Sequence, residues 1–145
     1  MKEKILVVDD DVSVRTVFST ELVKAGYVVE AAESGKQAIE KANAGFYNLA
    51  LIDIRLPDMQ GTELLVALKQ TTPKMRKIIV TGYPDVKNAI DALNRDADGY
   101  LTKPVALDTL LTKVKEQLEI QRGEEEYGQK KSEEFFVTKL RKNDF

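Results

Sequence analysis

Five short apolar runs recur along the chain, each followed by a stretch with helical spacing. That alternation limits the fold more than any other feature. "KILVV" (4–8), "VVEAA" (28–32), "NLALID" (48–53), "KIIVT" (77–81) and "GYLT" (99–102) read as strands. Most are continuously apolar, the pattern of strands buried on both faces. The helical stretches are "VSVRTVFSTELVKAG" (12–26), "SGKQAIEKANAG" (34–45), "TELLVALKQ" (62–70), "DVKNAIDALNRD" (85–96) and "LDTLLTKVKEQL" (107–118). The first carries Val14, Val17, Phe18 and Leu22 on one face and stops at Gly26. The second opens on Ser34 as N-cap and closes on Gly45. The last places Leu107, Leu110, Leu111, Val114 and Leu118 toward a core. Strand–helix units in this order predict an α/β fold, a doubly wound parallel sheet of five strands with five helices covering both faces.

The remaining chemistry is narrowed by what the chain lacks. Its 145 residues suffice for one domain with a real core. There is no cysteine and no histidine, so thiol catalysis, a histidine base, and cysteine or histidine metal ligands are all excluded. Carboxylates, hydroxyls, lysines and backbone must do the work. A net charge of -2 with mixed signs gives no nucleic-acid footprint. No apolar run approaches the roughly 18 residues of a membrane span. The start "MKEK" runs straight into a strand and lacks the apolar core of a signal peptide. A cytoplasmic location without membrane attachment is the expectation.

Parallel α/β sheets present ligands at the carboxyl ends of their strands, so the polar residues there carry the functional question. The first strand ends in Asp9, Asp10 and Asp11, the third in Asp53, the fourth in Thr81 and the fifth in Lys103. Singly, each has a bland reading: the three aspartates as helix caps, Thr81 as a turn residue, Lys103 as a solvated cation. Asp53 resists such a reading, because a carboxylate ending a buried run is costly unless it is paired or holds a cation. Clustered, Asp9, Asp10 and Asp53 would repel one another and call for a divalent ion. An oxygen-only donor set points to Mg²⁺ or Mn²⁺. A carboxylate can take a phosphoryl group, with metal, ammonium and hydroxyl each meeting one phosphoryl oxygen. The inventory fits phosphoryl transfer to Asp53.

The stretches "ILVVDDD", "LALIDIRLPDMQG", "IIVTGY" and "GYLTKP", in this order and spacing, resemble the response-regulator receiver domain of two-component signalling over residues 3 to about 122. The resemblance implies a flavodoxin-like fold with strand order 2-1-3-4-5 and a phosphoacceptor at Asp53. It implies Mg²⁺ bound directly by Asp10, with Asp9 acting mainly through water and the Arg55 backbone carbonyl as a further ligand. Lys103 would pair with the phosphoryl group across a cis Lys103–Pro104 bond. Thr81 and Tyr100 would be the switch pair, and Arg55 and Tyr83 would modulate phosphoryl lifetime or else lie in solvent. The phosphoryl donor would be a sensor histidine kinase. The readout would be the surface of segments 85–96, 99–102 and 107–118, presented to a downstream protein, a fused output domain or a second copy in a homodimer. Such a domain takes part in its own phosphorylation and dephosphorylation and is not an enzyme with a separate substrate.

Residues 1–122 are thus expected to form the receiver and 123–145 a charged tail. The apolar knot Phe135, Phe136, Val137 and Leu140 in that tail would form a short amphipathic segment, packed on segments 85–96 and 107–118 or on a second chain. The tail is too short for an output domain, which makes the chain a single-domain regulator or a piece of a longer one. Two other classes use similar residues. A metal-dependent aspartyl phosphatase usually has its nucleophile after the first strand and a second aspartate two positions on, where Arg55 stands here. A phosphorylation-independent binding module would not need the full set of acceptor, metal, threonine and lysine residues.

Overall fold

The computed structural model describes residues 2–82, 85–94 and 97–142. The strands are β1 (Lys4–Val8), β2 (Val28–Ala32), β3 (Leu49–Asp53), β4 (Arg76–Thr81) and β5 (Gly99–Thr102). The helices are α1 (Val12–Lys24), α2 (Gly35–Ala44), α3 (Gly61–Thr71), α4 (Val86–Asn94) and α5 (Leu107–Lys142). All strand pairs are parallel, in the order β2-β1-β3-β4-β5. Every residue of the central strand β3 is buried, whereas β2 and β5 at the edges are only partly so.

Side chains alternate across the sheet, and each face meets its own helices. Leu6, Val8, Ala50, Ile52 and Ile79 pack with Ala38 and Ala42 of α2, Leu64, Leu65 and Leu68 of α3, and Ala92 of α4. Ile5, Val7, Leu49, Leu51, Ile78 and Val80 pack with Phe18 and Leu22 of α1 and Leu110, Val114 and Leu118 of α5. Each buried valine, leucine, isoleucine or phenylalanine side chain contributes about 1.5–3 kcal/mol, so these two layers supply most of the fold's stabilisation. Among the described residues, no helix is long and apolar enough to cross a membrane.

The helix ends follow local chemistry. Asp11 accepts from the N–H groups of Ser13 and Val14 as N-cap of α1, and Ser34 accepts from Gln37 as N-cap of α2. Gly26, at φ 103°, ends α1: its N–H bonds Val23 O while that of Tyr27 bonds Leu22 O. Only a residue tolerant of the left-handed region fits there.

Two expected core positions are corrected. Val17 is 46% exposed, because the buried stripe of α1 runs through Phe18 and Leu22 and leaves Val17 at its rim. Leu107, at the very start of α5, is also exposed. The stripe of α5 runs instead through Leu110, Val114, Gln117, Leu118 and Gln121. The tail differs as well. α5 does not stop near Leu118 but continues as one 36-residue helix to Lys142. Every described residue from Arg122 to Phe135 is exposed, as is Val137, so Phe135 and Val137 are not buried within the chain itself. The Phe136 and Leu140 side chains lie outside the described residues.

Candidate functional site

Parallel pairing brings the expected residues to one edge. Val8 is in register with Ile52, Asp53 with Val80, and Thr81 with Thr102. Asp9, Asp53, Thr81 and Lys103 therefore sit together at the carboxyl end of the sheet. Lys103 closes the group: its N–H donates to Thr81 O at 2.7 Å, and its Nζ donates to Asp9 Oδ2 at 2.7 Å and Asp53 Oδ2 at 3.4 Å. The Lys103–Pro104 peptide bond is cis.

Three carboxylates, Asp9, Asp10 and Asp53, each offer an oxygen within 4.8 Å of the others. Asp9 and Asp53 are buried and Asp10 is exposed. Burial and the Asp9 charge hold the Asp53 carboxyl above its usual range, against the opposing pull of the Arg55 N–H and the Lys103 ammonium. Burial pulls the Lys103 ammonium down, but its bond to Asp9 and the charges of both aspartates outweigh this and raise it. Lys103 thus pairs with the two buried carboxylates, and Asp10 adds a third beside them. That surplus of oxygen donors and negative charge suits a hard divalent cation.

The loop from β3 to α3 is folded tightly against the site. Arg55 donates its N–H to Asp53 Oδ1 at 3.2 Å and bridges to Gln60, while the Gly61 N–H bonds Ile54 O at 2.7 Å. A Cβ at Gly61 would lie 2.5 Å from Asp53 O, so no other residue allows the helix to start this close to the strand. The Arg55 side chain is exposed. Tyr83 lies outside the described residues. Thr81 is fully buried at the end of β4. Tyr100 packs against the core beside α2, α3 and α4, and its buried hydroxyl has no hydrogen-bond partner among the described residues.

Two residues at this edge were not expected. Arg15 donates from Nη1 to Asp9 O at 2.7 Å, steadying the first acidic turn. Asp58, at the loop tip, accepts from Gly35 N at 2.9 Å and Lys36 N at 2.8 Å, reaching the start of α2. Those two N–H groups hold its carboxyl below the usual range. Asp58 lies more than 20 residues from these partners, and a local pattern carries no trace of that contact.

Comparison with known proteins adds three findings. Residues 5–115 match the family model described as response regulator receiver domain. The chain is 40% identical over 114 residues to the transcriptional regulatory protein ZraR of Klebsiella oxytoca, covering 79% of this chain and 26% of that protein. It thus spans about a quarter of that relative's length. Among solved structures, a CheY-like response regulator receiver domain protein from Methanospirillum hungatei JF-1 is 44% identical with a TM-score of 0.84, over 86% of this chain and 99% of that one. The response regulator TrrA of Thermotoga maritima, in complex with Mg²⁺-BeF, is 31% identical with a TM-score of 0.73, over 79% and 98%.

Proposed function

The chain belongs to the response-regulator receiver family, and from that premise we propose a phosphorylation-controlled switch in which Asp53 accepts a phosphoryl group from a sensor histidine kinase. The observation that carries this reading is the meeting of Asp53 with Asp9, Asp10 and Lys103 at one sheet edge. An Asp53 carboxylate oxygen forms a bond to phosphorus as the bond from phosphorus to the donor's nitrogen breaks. The leaving nitrogen keeps that electron pair. Lys103 takes one phosphoryl oxygen and thereby exchanges part of its present bonding to Asp9. Asp10, Asp53 and the Arg55 backbone carbonyl would hold Mg²⁺ or Mn²⁺, with Asp9 acting through water. When bound, the ion supplies positive charge to the phosphoryl oxygens.

Switching then follows from differential contacts. The Thr81 hydroxyl turns to the phosphoryl group, and Tyr100 moves with it. The Tyr100 hydroxyl, buried and without a hydrogen-bond partner among the described residues, supports this, because a buried donor without an acceptor costs about 1–3 kcal/mol. The face of α4, β5 and α5 reads out the change to a downstream protein, an output domain or a second copy. On this reading the chain works in the cytoplasm and turns over no separate substrate.

Incubation with acetyl phosphate and Mg²⁺, followed by intact mass, tests the proposal. Wild type should gain one phosphoryl group per chain, and Asp53→Asn none. Thr81→Ala should still gain it but lose the amide-shift response around Tyr100. Multiple turnover of a phosphoester with no modified chain would indicate a phosphatase, and no modification at all a binding module. Either result overturns the switch.

A further inference from the structure

The loop of residues 54–60 is tied down at both ends. At its base the Arg55 N–H holds Asp53 Oδ1, and Gly61 N bonds Ile54 O. Across its width Arg55 bridges to Gln60, and the Leu56 N–H bonds Met59 O at 3.2 Å. At its tip both Asp58 carboxylate oxygens are engaged, one by Gly35 N and the other by Lys36 N. Met59 lies over Gly35 so closely that a Cβ there would meet its Sδ at 2.4 Å. An unbroken set of contacts therefore runs from the first turn of α2, through Asp58 and the loop backbone, to the Asp53 carboxylate.

Helix α2 has a local cap already, since Ser34 Oγ accepts from Gln37 N at 3.1 Å. The Asp58 bonds join a distant loop to the helix. A carboxylate at a helix N-terminus is held by two N–H groups and the helix dipole together, a stiff anchor for an exposed side chain. The bonds fix the distance between α2, which is packed on the sheet, and the backbone of Arg55.

We infer that Asp58 is a positioning residue, which acts through loop 54–60 to hold the Arg55 backbone and the Asp53 carboxylate in the geometry a divalent cation requires. This rests on the reading above that the cation binds at Asp9, Asp10 and Asp53. Asp58 touches neither cation nor phosphoryl group. Groups that orient metal ligands typically affect affinity without binding the metal themselves.

The test is titration of the full chain with Mg²⁺ alone, by calorimetry and without any phosphodonor. Asp58→Ala should raise the Mg²⁺ Kd by roughly tenfold, with Asp58→Asn, which keeps one acceptor oxygen, in between. Ser34→Ala removes a cap from the same helix end without touching the loop. It should lower the melting temperature as Asp58→Ala does, yet leave the Mg²⁺ Kd within about twofold of wild type. An unchanged Kd in Asp58→Ala, or an equal loss in Ser34→Ala, would overturn the inference, because Asp58 would then be a cap and nothing more. If Asp58→Ala does not fold, Asp58→Asn against Ser34→Ala decides on the same criterion. Wild type that binds no Mg²⁺ would remove the cation site itself and this inference with it.

Discussion

Asp53 is held in an unfavourable electrostatic setting, and this has a measurable sign. Its carboxyl is raised by burial and by Asp9. Between its unfolded and folded pKa values the folded chain binds more protons than the unfolded chain. Stability therefore falls as pH rises through that window and stays lower above it. At neutral pH and without a cation, the ionised Asp53 destabilises the fold. Asp53→Asn should thus melt higher than wild type in chelator at pH 7, by roughly 2–5 °C, with the gap shrinking as pH falls toward 4. Added Mg²⁺ should stabilise wild type more than the variant. A variant that melts below wild type at pH 7 would mean that Lys103 more than compensates the buried carboxylate. The place of Asp53 in the site was legible because a carboxylate ending a buried strand is costly unless it is paired or holds a cation. The roles of Asp9, Asp10 and Asp11 were not separable in "DDD". The structure makes Asp11 the cap, buries Asp9 against Lys103 and leaves Asp10 exposed.

Among the elements, the β3–α3 connection has the least slack. Gly61→Ala would push a methyl group into the backbone at Asp53 and Ile54, at 2.5 and 2.8 Å. The chain must shift there, since neither contact is the end of a flexible side chain. We expect a loss of about 1–3 kcal/mol, the usual result of overpacking, and weaker Mg²⁺ binding along with it. Chemical denaturation and Mg²⁺ titration would check both. Unaltered stability would show that the loop has room the structure does not reveal. Helix α5 shows the opposite case, in which the sequence pattern misleads. Gln117 and Gln121 interrupt its apolar stripe yet are buried. Gln117 accepts from the Arg76 guanidinium and donates to Asp98 O, while Gln121 donates to Asn48 O and Lys74 O. Hydropathy treats both as surface, because it cannot register partners 19 to 73 residues away.

For the whole molecule, the receiver and the distal half of α5 differ in how they are supported. From Leu110 to Gln121 α5 packs on the sheet through Leu110, Val114 and Leu118, whereas Arg122 to Phe135 are exposed. Beyond Gln121 the helix is held by Arg122 on Glu3 and by Arg76 on Glu124, pairs open to solvent. Gly123 and Gly128 each cost about 1 kcal/mol relative to alanine in a helix interior. A chain ending at Arg122 should therefore keep the receiver's unfolding free energy to within about 1 kcal/mol. In the full chain, amides of 123–142 should exchange far faster than those of 110–121. A larger stability loss, or protection of the distal amides in dilute protein, would show that this segment is buried against something in solution.

The division between sequence and structure follows the range of the forces involved. Continuous apolar runs and helical spacing report burial within a few residues, so the five strands, five helices and a parallel sheet were readable directly. Parallel connection then brings every strand's carboxyl end to one edge. That is why Asp9, Asp53, Thr81 and Lys103 could be expected together before any distance was known. What required the folded chain was every contact between groups close in space but distant in sequence. Asp58 reaching the start of α2, the buried glutamines of α5, the backbone clearance at Gly61 and the bond of Lys103 to Asp9 are all of this kind. Each depends on a few hydrogen bonds or a few tenths of an ångström, which periodicity does not encode.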